Sequence, residues 1–172
     1  VDAHVEESTA TWKYLEPQFA RRAPVPITLE DQPALLGQNS FWLIDGAVVP
    51  RTSGKGLSLF GTPATSRHAR EKPFSIGSQE LTDIDARLRD LDRFGIETQV
   101  VNSTLLNATL TPDIQFEYAL CRAYNRWIHE VCAASSGRLR WNAMLPLSDI
   151  DKSVEELRRV AALGAAAAEI HG

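Results

Sequence analysis

The chain has 172 residues, 44% of them hydrophobic and 23% charged, which is the composition of a globular protein large enough for one hydrophobic core. Its formal net charge of −4 argues against a nucleic-acid-binding protein. No apolar run reaches the roughly 18 residues of a membrane helix, and the acidic start VDAHVEE lacks the basic and apolar regions of a signal peptide, so we expect a cytoplasmic protein without membrane contact.

The predicted elements begin with a short alternating strand at VDAHV, which a long irregular stretch at residues 6–78 follows. Most of the prolines of the chain lie in this stretch. Within it, FWLIDGAVVP predicts a β-hairpin, because Asp45-Gly46 between two apolar strands suits a type I′ turn. Loops of this length are more often lids, binding loops or interface elements than simple connecting segments. We therefore predict an insertion or lid at residues 6–78.

Helices and strands alternate from residue 79 onward. Apolar residues recur at helical spacing from Leu81 to Leu91, with Thr82 as a candidate N-cap and Gly95 as the terminator. The strand IETQVVNST follows. The next helix is expected to begin at Thr111-Pro112, with the proline at the first helical position.

The second half continues this alternation with the strand LRWNAMLPL, a third helix and the strand AAAAEI. Ser148 or Asp149 is the candidate N-cap of the third helix, and Gly164 ends it. The apolar stripe predicted for this helix consists of Ile150, Val154, Leu157 and Val160.

The two cysteines, Cys121 and Cys132, lie eleven residues apart on the second predicted helix. This spacing separates them by about 16 Å along the helix axis, whereas a disulfide requires Cα atoms within about 7 Å. We therefore predict two reduced, packed thiols, as is usual in the cytoplasm.

The order of the elements predicts an α/β fold with a parallel sheet and right-handed crossovers. A (β/α)8 TIM barrel has eight strands in about 250 residues. We expect residues 1–172 to form part of such a barrel, namely its first four strands and three helices, with the insertion between the first strand and the first helix. The rest of the barrel would lie in further chain or in a separate chain. A small open sheet completed by dimerisation is the alternative.

The strongest local signal for chemistry is the D-x-H pattern of Asp2 and His4 on the first strand. Residues two apart on a strand point to the same side. A carboxylate and an imidazole would thus lie together, and this pair suits zinc or manganese. Phosphate-binding glycine loops and the G-x-S-x-G elbow are absent from the sequence, which argues against nucleotide use and serine hydrolysis.

Several motifs together resemble the metal-dependent amidohydrolases related to aminocarboxymuconate-semialdehyde decarboxylase, the amidohydrolase 2 group. The resemblance covers residues 1–20 and 79–172. The segments that carry it are DAHVEE with TWKYLEPQF, LTDIDARLRDLDRFGIETQVV, ALCRAYNRWIHEVCAASSGRLRWNAMLPLSD and ELRRVAALGAAAAEIHG. Asn125 and Trp127 match the helical block of this family, and we interpret them as structural.

The resemblance implies one divalent metal ion, with zinc expected and manganese as the alternative. It assigns Asp2 and His4 as the first two ligands and favours His171, at the end of the fourth strand, as a further ligand or active-site residue. The late-strand aspartate of the family has no counterpart in this sequence. Many members carry Glu or His at the position of Asp2, which leaves the identity of the metal open.

The remaining candidates are assigned by their place in the predicted barrel, and each has a structural alternative. Glu7 is a candidate catalytic residue that would position substrate or a metal-bound water, unless it is a solvated loop carboxylate. Asn102 and Ser103 end the second strand at the catalytic rim, where they would bind substrate or cap the loop. Trp12 would line the pocket mouth or pack in the core.

Arg67 and His68 lie in a basic segment of the insertion that would close over an anionic substrate, unless the segment is solvated.

The function that the resemblance implies is decarboxylation of a small aromatic or unsaturated carboxylic acid, or hydrolysis of an amide, ester or lactone. A non-catalytic half-barrel that acts by association is the alternative from another class. We expect a small-molecule carboxylic acid as partner and a homodimer as the assembly.

Overall fold

The computed structural model describes residues 3–28, 40–51 and 75–170. Its strands are β1 (His4–Val5), β2 (Val25–Thr28), β3 (Ser40–Ile44), β4 (Ala47–Pro50), β5 (Gln99–Ser103), β6 (Leu139–Met144) and β7 (Ala167–Glu169). Its α-helices are α1 (Thr9–Trp12), α2 (Ile76–Gln79), α3 (Ile84–Arg93), α4 (Ile114–Ala133) and α5 (Ile150–Ala162). Short 3₁₀ turns span Pro17–Arg22 and Leu105–Asn107.

The strands form two sheets. Four of them, β1, β5, β6 and β7, make a parallel sheet in which neighbours in space follow the order of the chain. The other three, β2, β3 and β4, make an antiparallel sheet within the segment predicted as an insertion. The mixed α/β fold with a parallel sheet is therefore confirmed.

The predicted hairpin is present, with Asp45 and Gly46 both at positive φ as a type I′ turn requires. Strand β2, which contains Pro26 and pairs with β3, was not predicted. Trp42 and Ile44 on β3 are fully buried, and Trp12 packs edge-on against Trp42 at 6.2 Å between ring centroids. The antiparallel sheet thus shares the core of the parallel one.

Helix starts differ from the prediction at two places. Asp83, rather than Thr82, caps α3 by accepting a hydrogen bond from the backbone N–H of Ala86. Helix α4 begins two residues beyond Pro112, because Asp113 is its N-cap. In both cases an aspartate next to the predicted position offers the better acceptor for the free N–H groups of the first turn. Asp149 caps α5, as expected.

Helix α4 lies at the centre of the core. Asn125 is fully buried on it and, as predicted, has a structural role: its amide accepts from the N–H of Met144 and donates to the Met144 carbonyl, each at 2.9 Å. Cys121 and Cys132 are buried and free, as expected. Burial raises the pKa of Cys121 and brings that of Cys132 to about 12, so both thiols stay protonated.

The apolar stripe of α5 is mostly exposed, although apolar residues at helical spacing ordinarily face a core. Ile150 is 72% exposed, and Val154 and Leu157 are 40% and 43% exposed. Only Val160 of the stripe is buried. The face turned inward is completed by Ser153 and by Glu156, which is neutralised by two hydrogen bonds from Arg159 and one from Asn125. Helical spacing identifies an apolar face but not which neighbour covers it.

Over the described ranges, no helix has both the length and the hydropathy needed to cross a bilayer.

Candidate active site

The two faces of the parallel sheet differ in character. Val101, Trp141 and Ala143 belong to the face covered by helices and are buried. The opposite face carries the polar side chains of His4 and Asn102, which are direct neighbours in the register of β1 and β5. These two residues are half-buried. Because they lie near the carboxyl ends of parallel strands, they occupy the edge where α/β enzymes bind their ligands.

The imidazole of His4 is oriented by the backbone of the neighbouring strand. Its Nδ1 lies 2.8 Å from the carbonyl oxygen of Ser103. A carbonyl oxygen only accepts, so Nδ1 carries a proton, and in the neutral ring the lone pair is on Nε2. Metal-binding histidines in proteins are commonly held in this way, with the distal nitrogen donating to a carbonyl or carboxylate. The geometry of His4 therefore fits metal coordination through Nε2.

Glu7 lies behind this edge and has no exposed surface. One carboxylate oxygen accepts from the hydroxyl of Ser103, and the other accepts from the N–H of Leu105 at 3.0 Å. Burial raises the pKa of Glu7 to about 7, although the two hydrogen bonds act to lower it. The alternative of a solvated loop carboxylate is excluded by this burial.

Asn142 on β6 is a polar residue of the site that the sequence analysis did not single out. Its side-chain amide donates to the Oδ1 of Asn102 at 2.6 Å. The register of β5 and β6 pairs Val101 with Trp141, so the next residues, Asn102 and Asn142, lie side by side on the same face as His4. The sequence could have indicated this residue. Apolar and polar residues alternate in LRWNAM, and Asn142 lies two positions after the exposed Arg140, on the same side of the strand.

Trp12, a predicted substrate-binding residue, is 4% exposed and belongs to the hydrophobic core. Ser103, also predicted to bind substrate, is fully buried and bonded to Glu7. Asn102 is the substrate-binding candidate on the same face as His4, and it is half-buried. The other predicted site residues, Asp2, Arg67, His68 and His171, lie outside the described residues.

The donors of a complete metal site are not brought together within residues 3–28, 40–51 and 75–170. In these ranges, no group of three or more His, Cys, Asp or Glu side chains is placed to hold a metal ion. His4 is the one predicted ligand that the structure describes, and its ring is oriented as a ligand requires.

Comparison with known proteins identifies relatives for about half of the chain. γ-Resorcylate decarboxylase of Rhodococcus jostii is 36% identical over 94 residues, which are 54% of this chain and 29% of that enzyme. The structure of a 2,6-dihydroxybenzoate decarboxylase from Rhizobium matches 51% of this chain and 28% of its own, at 35% identity and a TM-score of 0.47. The chain thus spans less than a third of the length of these relatives.

A further solved structure matches nearly the whole chain. An amidohydrolase of Mycobacterium avium subsp. paratuberculosis covers 96% of this chain with 46% of its own, at 20% identity and a TM-score of 0.57. This match shows a common fold. No protein-family model matches the sequence. The resemblance expected from the motifs is nevertheless confirmed. Over about half of its length, the chain is homologous to γ-resorcylate decarboxylase, and this similarity is consistent with the expected resemblance to the amidohydrolase 2 group.

Proposed function

We propose that this chain forms part of a metal-dependent decarboxylase that acts on a small aromatic carboxylic acid. Relatives that are 36% identical over 94 residues carry the name γ-resorcylate decarboxylase, which is that of an enzyme for a dihydroxybenzoic acid. The observation that supports the metal dependence most directly is the orientation of His4, with Nδ1 on the Ser103 carbonyl. Hydrolysis of an amide, ester or lactone is the alternative reaction.

We propose that the parallel sheet is the first half of a (β/α)8 barrel, with residues 6–78 as an insertion after β1. The order β1-β5-β6-β7 follows the chain without reversal, as barrel strands do. The fold match to an amidohydrolase over 96% of the chain supports this arrangement. In a barrel, the face that carries His4 and Asn102 would line the interior.

The proposed metal ligands are Asp2, His4 and His171. Asp2 precedes His4 by two residues, so the alternation of a strand would give it the same side. The mixed oxygen and nitrogen donor set suits zinc, with manganese as the alternative. When bound, the ion would polarise a substrate oxygen.

The side chains of the protein would bind the acid and supply the proton that replaces its carboxyl group. In the reaction, the bond between the ring carbon and the carboxylate breaks, CO₂ leaves, and the ring carbon takes up one proton. If His171 is not a metal ligand, we propose it as the residue that supplies this proton. Asn102, which lies on the same face of the sheet as His4, would hold a hydroxyl or carboxylate oxygen by hydrogen bonding. Arg67 and His68 would attract the anionic substrate from the insertion.

The proposal is tested by replacing His4 with alanine and His129 with alanine as the matched control. His129 is half-buried on α4, packs against Trp141, and has no part in the proposed site. The intact proteins are assayed for bound zinc and manganese by elemental analysis and for CO₂ release from a panel of hydroxybenzoates. We expect stoichiometric metal and CO₂ release in the wild type and in His129→Ala, and loss of both in His4→Ala.

The other outcomes of this experiment identify the alternatives. Metal binding without CO₂ release, together with turnover of amide, ester or lactone substrates, would favour a hydrolase. If the wild type lacks stoichiometric metal and His4→Ala has the same metal content, the result would favour a non-catalytic half-barrel and would refute the proposed enzymatic function.

We also propose a cytoplasmic protein that forms a homodimer. The two buried free thiols support a reducing compartment. The exposed apolar side chains on α5, Ile150, Val154 and Leu157, support burial of this face by another surface.

A further inference from the structure

Ser103 is bonded through both its backbone and its side chain. Its carbonyl oxygen accepts from Nδ1 of His4 at 2.8 Å. Its hydroxyl donates to Glu7 and accepts from the N–H of Leu106 at 3.0 Å. The residue is the last of β5 and is fully buried. It therefore connects the imidazole on one side of the strand to the carboxylate on the other.

Glu7 holds the backbone immediately after Ser103. Its second oxygen accepts from the N–H of Leu105, at the start of the 3₁₀ turn Leu105–Asn107. Glu7 thus bridges the Ser103 side chain and the following turn, and the hydroxyl of Ser103 also receives the N–H of Leu106. These bonds fix the chain on both sides of the Ser103–Thr104 peptide. The direction of the Ser103 carbonyl, which sets the ring of His4, is fixed with it.

The presence of a carboxylate at this position needs an explanation beyond folding. Glu7 has no exposed surface, and hydrogen bonds rather than a cation offset its loss of hydration. Burial of a carboxyl group without a countercharge is unfavourable, and an apolar side chain of similar size would avoid this cost. Orienting a metal-binding histidine is one role that accounts for such a group, and removal of an orienting residue typically reduces metal affinity about 10- to 100-fold.

We propose that Glu7 and Ser103 are positioning residues that hold the imidazole of His4 with Nδ1 protonated and Nε2 directed to the metal. They act through the Ser103 carbonyl and touch neither substrate nor metal. This inference rests on the proposed function in one respect, namely that His4 is a metal ligand. It changes the role expected for Glu7, from a catalytic group to a residue that acts through another.

The test measures metal affinity and the tautomer of His4 in the intact protein. Affinity for Zn²⁺ is measured by competition with a chromophoric chelator, and the tautomer by ¹⁵N NMR of the metal-free protein. The variants are Glu7→Gln, Ser103→Ala and the double variant, with Glu117→Gln as the matched control. Glu117 is 8% exposed on α4, so it is a buried glutamate that takes no part in the proposed contacts of Glu7, Ser103 and His4.

We expect Glu7→Gln and Ser103→Ala each to weaken Zn²⁺ binding about 10- to 100-fold. The double variant should be no weaker than the weaker single variant, because both changes break the same connection. The Nδ1–H tautomer of His4, dominant in the wild type, should lose population in both. Glu117→Gln should bind zinc within a factor of about two of the wild type, and circular dichroism establishes that each variant is folded.

Two results separate the failure of this inference from the failure of the proposed function. If His4→Ala abolishes zinc binding but Glu7→Gln leaves affinity and tautomer unchanged, the positioning role is refuted and the metal site stands. If His4→Ala leaves zinc binding unchanged, the proposed metal site itself is refuted, and the positioning role with it.

Discussion

The carboxyl group of Glu7 has no contact with solvent, and this burial determines its acid–base behaviour. Its pKa rises to about 7, since the charged form loses its hydration in the interior. Near neutral pH the group is therefore divided between its neutral and ionised forms, while in the unfolded chain it ionises at about 4.5. The same carboxyl group that orients Ser103 thus affects the pH dependence of stability.

We predict that stability falls between pH 4.5 and about 7 because of Glu7. In this range the unfolded chain has released the proton while the folded chain retains it, so rising pH favours unfolding. The stability that the protonated carboxyl of Glu7 gives the folded state is fully present below pH 4.5 and is lost as the pH rises through about 7. The difference between the two pKa values corresponds to about 3 kcal/mol.

Urea unfolding at pH 4.5 and pH 7.5 checks this prediction by comparing the wild type with Glu7→Gln, which cannot ionise. From pH 4.5 to pH 7.5, the free energy of unfolding of the wild type should fall by about 3 kcal/mol more than that of the variant. An equal loss in the two proteins would show that the carboxyl of Glu7 is not the cause.

At the scale of elements, α4 joins the parallel sheet to α5 through one buried amide. Asn125 accepts from and donates to the backbone of Met144 at the end of β6, and it also donates to Glu156 of α5 at 2.8 Å. Met144 is 1% exposed, so its backbone groups have no access to water if the amide is removed. The strand end that carries the site is therefore held by a helix residue 19 positions away in the chain.

We predict that Asn125→Ala lowers the free energy of unfolding by about 2–4 kcal/mol, because it leaves buried polar partners at Met144 and Glu156 without hydrogen bonds. Gln115→Ala serves as the control, since Gln115 lies exposed on the same helix and should change stability by less than about 0.5 kcal/mol. Urea denaturation measures both. Equal effects of the two substitutions would show that the Asn125 amide does not hold β6 and α5 together.

At the scale of the whole molecule, the antiparallel sheet is part of the main core and not a separate unit. Trp42 is fully buried and contacts Trp12. At the surface, Arg22 donates to Asp45 of the hairpin turn at 2.8 Å and to Asp113, the N-cap of α4, at 2.6 Å. These ion pairs are about one third exposed and add little, so the buried aromatic ring is the main connection.

We predict that Trp42→Ala lowers the free energy of unfolding by about 3–5 kcal/mol, because it leaves a large cavity in the hydrophobic core. Val48→Ala on the adjacent strand is the control, since Val48 is 62% exposed and its loss should cost less than about 0.5 kcal/mol. Thermal and urea unfolding compare the two. A single transition that moves with Trp42→Ala would establish one cooperative core, whereas two transitions would indicate separate units.

The sequence by itself determined the features that depend on neighbouring residues. The four parallel strands, the hairpin at Asp45-Gly46 and the three longer helices follow from periodicity and turn chemistry within short windows. The side of β1 that carries His4 follows from strand alternation. Helix starts differed by one or two residues, because several capping residues stood side by side.

Tertiary structure decided what depends on distant residues. Glu7 meets Ser103 across 96 residues, and no local pattern distinguishes a buried carboxylate there from a solvated one. The exposure of Ile150, Val154 and Leu157 depends on which surface covers α5, which helical spacing does not encode. Local geometry is set by local sequence, whereas burial, and with it pKa and hydrogen-bonding partners, is set by the packing of the whole chain.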